Sequence, residues 1–282
     1  MIAPFHEILD ERRSRGAAAG AFTCYDATTA CGVVHAAEAL DDPVLLLVSE
    51  ASVRSRDGRL LLPALAAVAN AATVPVCVQL DHATSLDVIG SALDTGAIGA
   101  VLADGSRLPY DENIAFVERV AALAASHGAE LEVELGHIEG GEDVAEAAAA
   151  GKLTDPEEAQ SFVAATGAAC LAVSIGNVHG TYASTPALDW ARLEAIQGAV
   201  DVPLSLHGAS GLAEGELRRA VASGIAKVNV NTELREKTFA TIGARLDELS
   251  RGWQIAALDA AIVDSVAEVV GEKLAALAQT FA

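Results

Sequence analysis

The chain has 282 residues, 52% apolar, 20% charged and 4% aromatic, and its 18 Lys and Arg against 39 Asp and Glu give a net charge of −21. The apolar fraction supplies a packed core and excludes a disordered chain, while the acidic surplus excludes nucleic acid or an anionic membrane as partner. Length alone leaves one large α/β domain or two small ones open.

The first segment, MIAPFHEILDERRSR, has the pattern of an amphipathic helix and no apolar run with a cleavage site. No stretch approaches the roughly 18 apolar residues that a membrane span needs, so a cytoplasmic protein is expected. Beyond it, short β-branched runs alternate with longer amphipathic ones, and Gly, Pro, Asn or Asp mark the junctions. Strands are predicted at 20–26 (GAFTCYD), 43–49 (PVLLLVS), 74–81 (VPVCVQLD) and 97–104 (AIGAVLAD). Four more follow at 129–136 (AELEVELG), 168–176 (AACLAVSIG), 202–208 (VPLSLHG) and 226–232 (AKVNVNT).

Helical patterns fall between them at 85–96, 112–128, 155–167 and 214–224, ending on Gly96, Gly128, Gly167 and Gly224, which suit a left-handed cap. Asp155 followed by Pro156 is a helix start. Eight strand-plus-helix units without a linker predict one α/β domain over 1–282, a (β/α)8 TIM barrel, with a C-terminal helical extension from about 234. A doubly wound sheet is the alternative, weakened because no Gly-x-Gly-x-x-Gly follows the first strand. Residues 137–154 are too long for a typical βα loop, and loops at that end of a barrel carry lids. Cys24, Cys31, Cys77 and Cys170 lack CxxC spacing and lie in apolar segments, which predicts reduced thiols.

Barrel chemistry sits at the C-terminal ends of the strands. Strand three ends in Asp81-His82, strand six leads to His179, and strand seven ends in His207. Three imidazoles converging from such ends make a Zn²⁺ site with an open position, whereas any one alone reads as an ordinary hydrogen-bonded histidine. His6, His35, His127 and His137 lie elsewhere and are expected to be solvated. Glu132 and Glu134, two apart, share one face of strand five; they serve the site, face water, or pair with Lys227 of strand eight. Gly208, Ala209 and Ser210, with Asn229, Val230, Asn231 and Thr232, have the makings of a phosphate cradle, although Gly and Ser are also common turn residues.

Six motifs occur in order: LDHATSLD, ADGSRLPYDEN, EVELGHIEGGED, SIGNVHGTY, VPLSLHGASGL and AKVNVNTE. Together, over residues 20 to about 235, they resemble the class II, zinc-dependent ketose-bisphosphate aldolases, nearest the tagatose-bisphosphate, fructose-bisphosphate and inositol-catabolic branch. The resemblance implies a lyase that reversibly cleaves a ketose (bis)phosphate to dihydroxyacetone phosphate and an aldehyde through a metal-stabilised enediolate. It implies His82, His179 and His207 as zinc ligands, with Glu134 as an alternative or second-metal ligand and Glu132 beside it. Asp81 would move the proton on the C4 hydroxyl, and Glu142 would take the carbon-bound proton. Gly180, Gly208, Ser210, Asn229 and Thr232 would hold the substrate and its phosphate, near a Na⁺ or K⁺ site. The partner implied is a small sugar phosphate, and the assembly a homodimer or homotetramer.

Three departures from the family pattern concern the substrate. The Asp-Pro-Arg beyond the last strand is missing, which leaves Arg251 as the nearby candidate for a second phosphate, or else Arg54, Arg56 or Arg59. The lysine usual after His-Gly of strand six is absent from HGTYAST, and the usual AFN near the N-terminus is AFT, with Thr23. Two other readings remain. A zinc hydrolase on the same barrel would usually show a His-x-His on an early strand; a degenerate homologue would bind sugar phosphate without turnover.

Overall fold

The structure, a computed structural model, describes residues 1–139, 151–180 and 187–278. Helix α1 (Phe5–Ser14) precedes β1 (Ala19–Thr23), and α2 (Ala27–Leu40) leads to β2 (Val44–Ser49). The short α3 (Glu50–Val53) and α4 (Leu61–Ala71) precede β3 (Val76–Ala83), and α5 (Leu86–Leu93) precedes β4 (Ala100–Ala103). Then come α6 (Tyr110–His127), β5 (Glu130–Leu135), α7 (Pro156–Thr166), β6 (Cys170–Val173) and α8 (Trp190–Ala199). The chain continues through β7 (Leu204–Leu206), α9 (Glu214–Ala222), β8 (Ile225–Val230), α10 (Thr232–Ser250) and α11 (Ile255–Leu277).

Each strand pairs in parallel with the next, and β1 pairs with β8, so the eight strands close into a barrel. The TIM-barrel expectation therefore holds, and the doubly wound sheet is set aside. The strands are buried on both faces, which is why they read as nearly continuous apolar runs. Alternate residues still have different partners. Leu46, Val48, Val78 and Leu80 pack with the surrounding helices. Ala19, Leu45, Leu47, Cys77 and Cys170 form a second cluster with Phe5, Ile8 and Leu9 of α1. Helix α1 thus closes the N-terminal end of the barrel with apolar side chains.

The local signals act as expected in α6 and α7. Gly128 and Gly167 take left-handed caps at φ 68° and 62°, and the Asp155 carboxylate accepts from the N–H groups of Glu157 and Glu158. Gly96 and Gly224 differ: the caps are Asp94 and Ser223, and these glycines turn the chain just beyond them. At Gly32 of α2 a side chain would press on Val266, so glycine lets α11 dock closely there. The four cysteines are free thiols; Cys24, Cys77 and Cys170 are buried. Among the described residues, no helix is long and apolar enough to cross a membrane.

Candidate active site

The C-terminal end of the barrel is where the polar side chains meet. His82 follows Asp81 on β3 and has a left-handed backbone, φ 46°, uncommon for a residue with a side chain. His207 follows β7, and His179 lies in the segment after β6. The ring centroids are 4.7 Å apart for His82 and His179, 4.8 Å for His82 and His207, and 6.1 Å for His179 and His207. Asn177 helps hold this meeting: its amide donates to the His207 carbonyl at 3.0 Å and accepts from the Ile175 N–H at 2.8 Å. Gly208 is needed beside it, since at φ 61° a side chain would collide with the Val178 carbonyl.

Carboxylates back the imidazoles. His82 Nδ1 lies 2.8 Å from Asp104 Oδ2 and 3.7 Å from Glu134 Oε2. His207 Nε2 lies 2.8 Å from Glu132 Oε1, with both side chains fully buried. Burial opposes charge on His82, but the carboxylates of Asp81, Asp104 and Glu134 outweigh it and hold the imidazole well above its ordinary range. Burial likewise opposes charge on Asp104, and its bonds to His82 and Ser106 prevail, so its carboxyl is held low. On His207 burial wins and lowers the imidazole.

Glu132 and Glu134 diverge although they share one face of β5. Burial opposes ionisation of Glu132, but Lys227 at 2.8 Å and His207 outweigh it and hold the carboxyl well below the usual range. Glu134 has only His82, farther off at 3.7 Å. Burial, reinforced by Asp104, pushes it up to about 8, and its Oε2 is buried without a hydrogen-bond partner.

This donor set fits a divalent metal. Ring nitrogens of His82, His179 and His207 lie within 4.8 Å of one another, and so do ligand atoms of His82, Asp104 and Glu134. The Glu132 carboxylate takes the proton of His207 Nε2, so His207 Nδ1 keeps its lone pair. It faces His82 Nε2 at 2.9 Å: a protonated His82 donates across this contact, and once that proton is lost both nitrogens are free to serve a metal.

Asp81 is buried, and Asn229 Nδ2 lies 3.3 Å from each of its carboxylate oxygens. Some of the residues expected to form a cradle are hydrogen-bonded to one another. Ser210 Oγ accepts from the N–H groups of Asn231 at 3.3 Å and Thr232 at 3.1 Å, at the start of α10. A helix N-terminus beside glycine-rich backbone is a ready anion site. Gly208, Ala209, Val230, Asn231 and Thr232 lie at the same strand ends, and Gly180 follows His179 in the chain.

Several expectations are placed differently. Glu132 lies beneath the candidate ligand atoms, tied to His207, Lys227 and Gln79, so the Lys227 pairing describes it and a ligand role does not. Arg251 caps the far end of the 19-residue α10, about 28 Å from Thr232 at 1.5 Å per residue. Arg54 stands near the mouth on Glu50, at 2.8 Å, and Glu50 in turn holds the Thr84 backbone. Glu142 and most of the expected lid lie outside the described residues.

His137 is not solvated. It is mostly buried, 3.1 Å from Ser106 and 3.5 Å from Glu139, and burial together with Arg107 lowers its imidazole. Sequence reasoning passed over Asp104, although the signal that selected Asp81, an acid at a strand end, was equally present there.

A sequence model of the class-II fructose-bisphosphate aldolases matches residues 3–280. The YdjI protein of Escherichia coli K12 is 34% identical over 249 residues, covering 88% of this chain and 89% of that protein. The crystal structure of the YdjI aldolase superposes with a TM-score of 0.86 at 29% identity, over 98% of this chain and 97% of that one. A Coccidioides immitis crystal structure, provisionally described as a fructose-1,6-bisphosphate aldolase, gives 0.89 at 30% identity, over 96% and 94%. With its barrel and strand-end histidines, this chain belongs to the class-II fructose-bisphosphate aldolase family of lyases.

Proposed function

We propose that this chain is a zinc-dependent aldolase that reversibly cleaves a ketose phosphate or bisphosphate into dihydroxyacetone phosphate and an aldehyde. The observation that carries the reading is three imidazoles meeting beside Asp81 and beside the Ser210 cradle. When bound by His82, His179 and His207, with Glu134 as an alternative or second-site ligand, zinc supplies Lewis acidity for charge that develops on substrate oxygens.

The protein's own groups do the rest. Gly180, the Gly208–Ser210 backbone and the start of α10, from Asn229 through Thr232, hold the phosphate of the three-carbon fragment. In cleavage Asp81 takes the proton of the C4 hydroxyl as the C3–C4 bond breaks. The bonding pair stays on the three-carbon fragment and the aldehyde leaves. Glu142, assigned from its GGED motif, returns a proton to that carbon, and in condensation removes it. Arg54 is the nearer candidate for a phosphate on the aldehyde end. Arg251 could serve only from another copy, given its place on α10.

A Na⁺ or K⁺ beside the cradle, a second divalent ion at His82, Asp104 and Glu134, and a cytoplasmic setting belong to the same reading. So does a homodimer or homotetramer, supported by exposed Phe239 and Leu246 of α10, Trp253 in the turn after it and Ile255 at the start of α11. Sedimentation showing a monomer at micromolar concentration would remove that part.

The deciding experiment incubates zinc-loaded protein with dihydroxyacetone phosphate in D₂O and follows loss of one carbon-bound proton by NMR. Exchange that stops with a chelator is the expected result. No exchange, and no cleavage of any member of a ketose-phosphate panel, would overturn the reading.

A further inference from the structure

Lys227 stands fully buried inside the barrel, two residues before Asn229 on the same face of β8. Among the described residues, Lys227 and Arg12 are the buried Lys and Arg side chains, and Arg12 is committed to Asp42. The Lys227 ammonium lies 2.8 Å from Glu132 Oε2 and donates to Asn229 Oδ1 at 2.5 Å. An ammonium only donates, so it dictates the polarity of both neighbours.

Asn229 must turn its amide oxygen to the lysine, and its NH₂ then faces both oxygens of Asp81. Glu132 Oε2 is taken up by Lys227 and by Gln79 Nε2 at 2.6 Å, which leaves Oε1 for His207 Nε2. An ionised carboxylate only accepts, so His207 Nε2 carries the proton and Nδ1 offers its lone pair toward His82.

Resting on the aldolase reading above, we propose that Lys227 is a positioning residue for both halves of the site. Through Glu132 it presents His207 to the metal, and through Asn229 it aims Asp81 at the substrate hydroxyl. One buried cation thereby couples the metal site to the proton-moving carboxylate.

The test uses Lys227→Met in the full chain, with three readouts: zinc affinity by competition with a chromophoric chelator, exchange of dihydroxyacetone phosphate in D₂O, and condensation with glycolaldehyde. Zinc affinity should fall about 10- to 100-fold, the usual cost of losing an outer-sphere partner. At saturating zinc, exchange should recover to near the parent rate while condensation stays at least about tenfold low, because Asp81 is still misaligned. Parent-like zinc affinity, or condensation that recovers fully with zinc, overturns the proposal.

A buried Glu132 left without its cation can prevent folding. If Lys227→Met lacks a cooperative melt, Lys227→Met with Glu132→Gln removes both charges, and the same losses are expected. Glu132→Gln alone keeps the lysine and should cost zinc affinity by a larger factor than it costs condensation at saturating zinc; equal loss of both would also overturn the two-arm assignment. A parent chain that binds zinc but neither exchanges nor condenses breaks the aldolase reading instead, and the zinc comparison then decides the His207 arm alone.

Discussion

Strand β5 carries Glu130, Glu132 and Glu134 on one face, and the three carboxylates meet different surroundings between the closed and open ends of the barrel. At the closed end Glu130 lies 2.6 Å from His6, beneath an apolar plug of Phe5, Ile8 and Leu9. In the middle, Glu132 is fully buried against Lys227. At the open end Glu134 is just as buried but keeps an unpartnered oxygen among histidines. The closed end neutralises its charges in contact pairs, Arg12 with Asp42 included. The open end instead leaves a buried acid without a partner beside His82 and Asp104, an arrangement that suits a bound cation. Residue type therefore says less than position along the barrel axis: the same glutamate is a surface pair, a buried anchor or a candidate ligand.

The contrast predicts that changes at one end leave the other intact. The largest effect belongs to His207→Ala, which should abolish bound zinc and reduce ketose-phosphate cleavage by more than about a hundredfold, beyond an outer-sphere change. His207 is fully buried on Glu132, so the metal-free protein should also melt lower, and metal analysis and kinetics are read well below that melt. A variant with full activity would remove His207 from the site.

Phe5→Ala is the mirror case. Removing this fully buried ring from the plug should cost about 3–5 kcal/mol and lower the melting temperature by roughly 10 °C. Zinc affinity and turnover, measured well below the melt, should stay within about twofold if the two ends are energetically independent.

The third prediction concerns pH. The Glu134 carboxyl is pushed up to about 8, so folding favours its protonated form. Its ionisation therefore costs the folded chain stability progressively as pH rises from the ordinary carboxylate range toward 8. In chelator, Glu134→Gln should gain stability relative to the parent between pH 5 and 8, and the gain should shrink when zinc is added. A gain that is flat with pH, or unmoved by zinc, would contradict the environment described for Glu134.

The smallest effect is His6→Ala. The pair with Glu130 is largely open to solvent, so its loss should cost under about 1 kcal/mol and leave activity unchanged. A large loss would mean that α1 is held by this pair and not by its apolar face.

Much of this organisation was legible in the residues. Each predicted strand overlaps an observed one, because strands buried on both sides must be runs of apolar residues between turn signals. Histidines at strand ends were legible as a cluster because parallel strands in a barrel all deliver their ends to one mouth. Asp104 was missed although it directly follows β4, and His137 was misjudged because Ser106, which meets it from the loop after β4, is a neighbour that no periodicity encodes.

What the sequence by itself determined is the periodic alternation, the turn residues and the strand-end chemistry, since each depends on neighbours a few positions away. The tertiary structure decided which of two identical residues on one strand is paired. Glu132 and Glu134 are indistinguishable by local pattern, and it is Lys227, brought across the barrel from β8, that separates them. The reason is physical: ionisation of a buried acid is set by the charges within a few ångströms, and barrel closure, not chain proximity, chooses those charges.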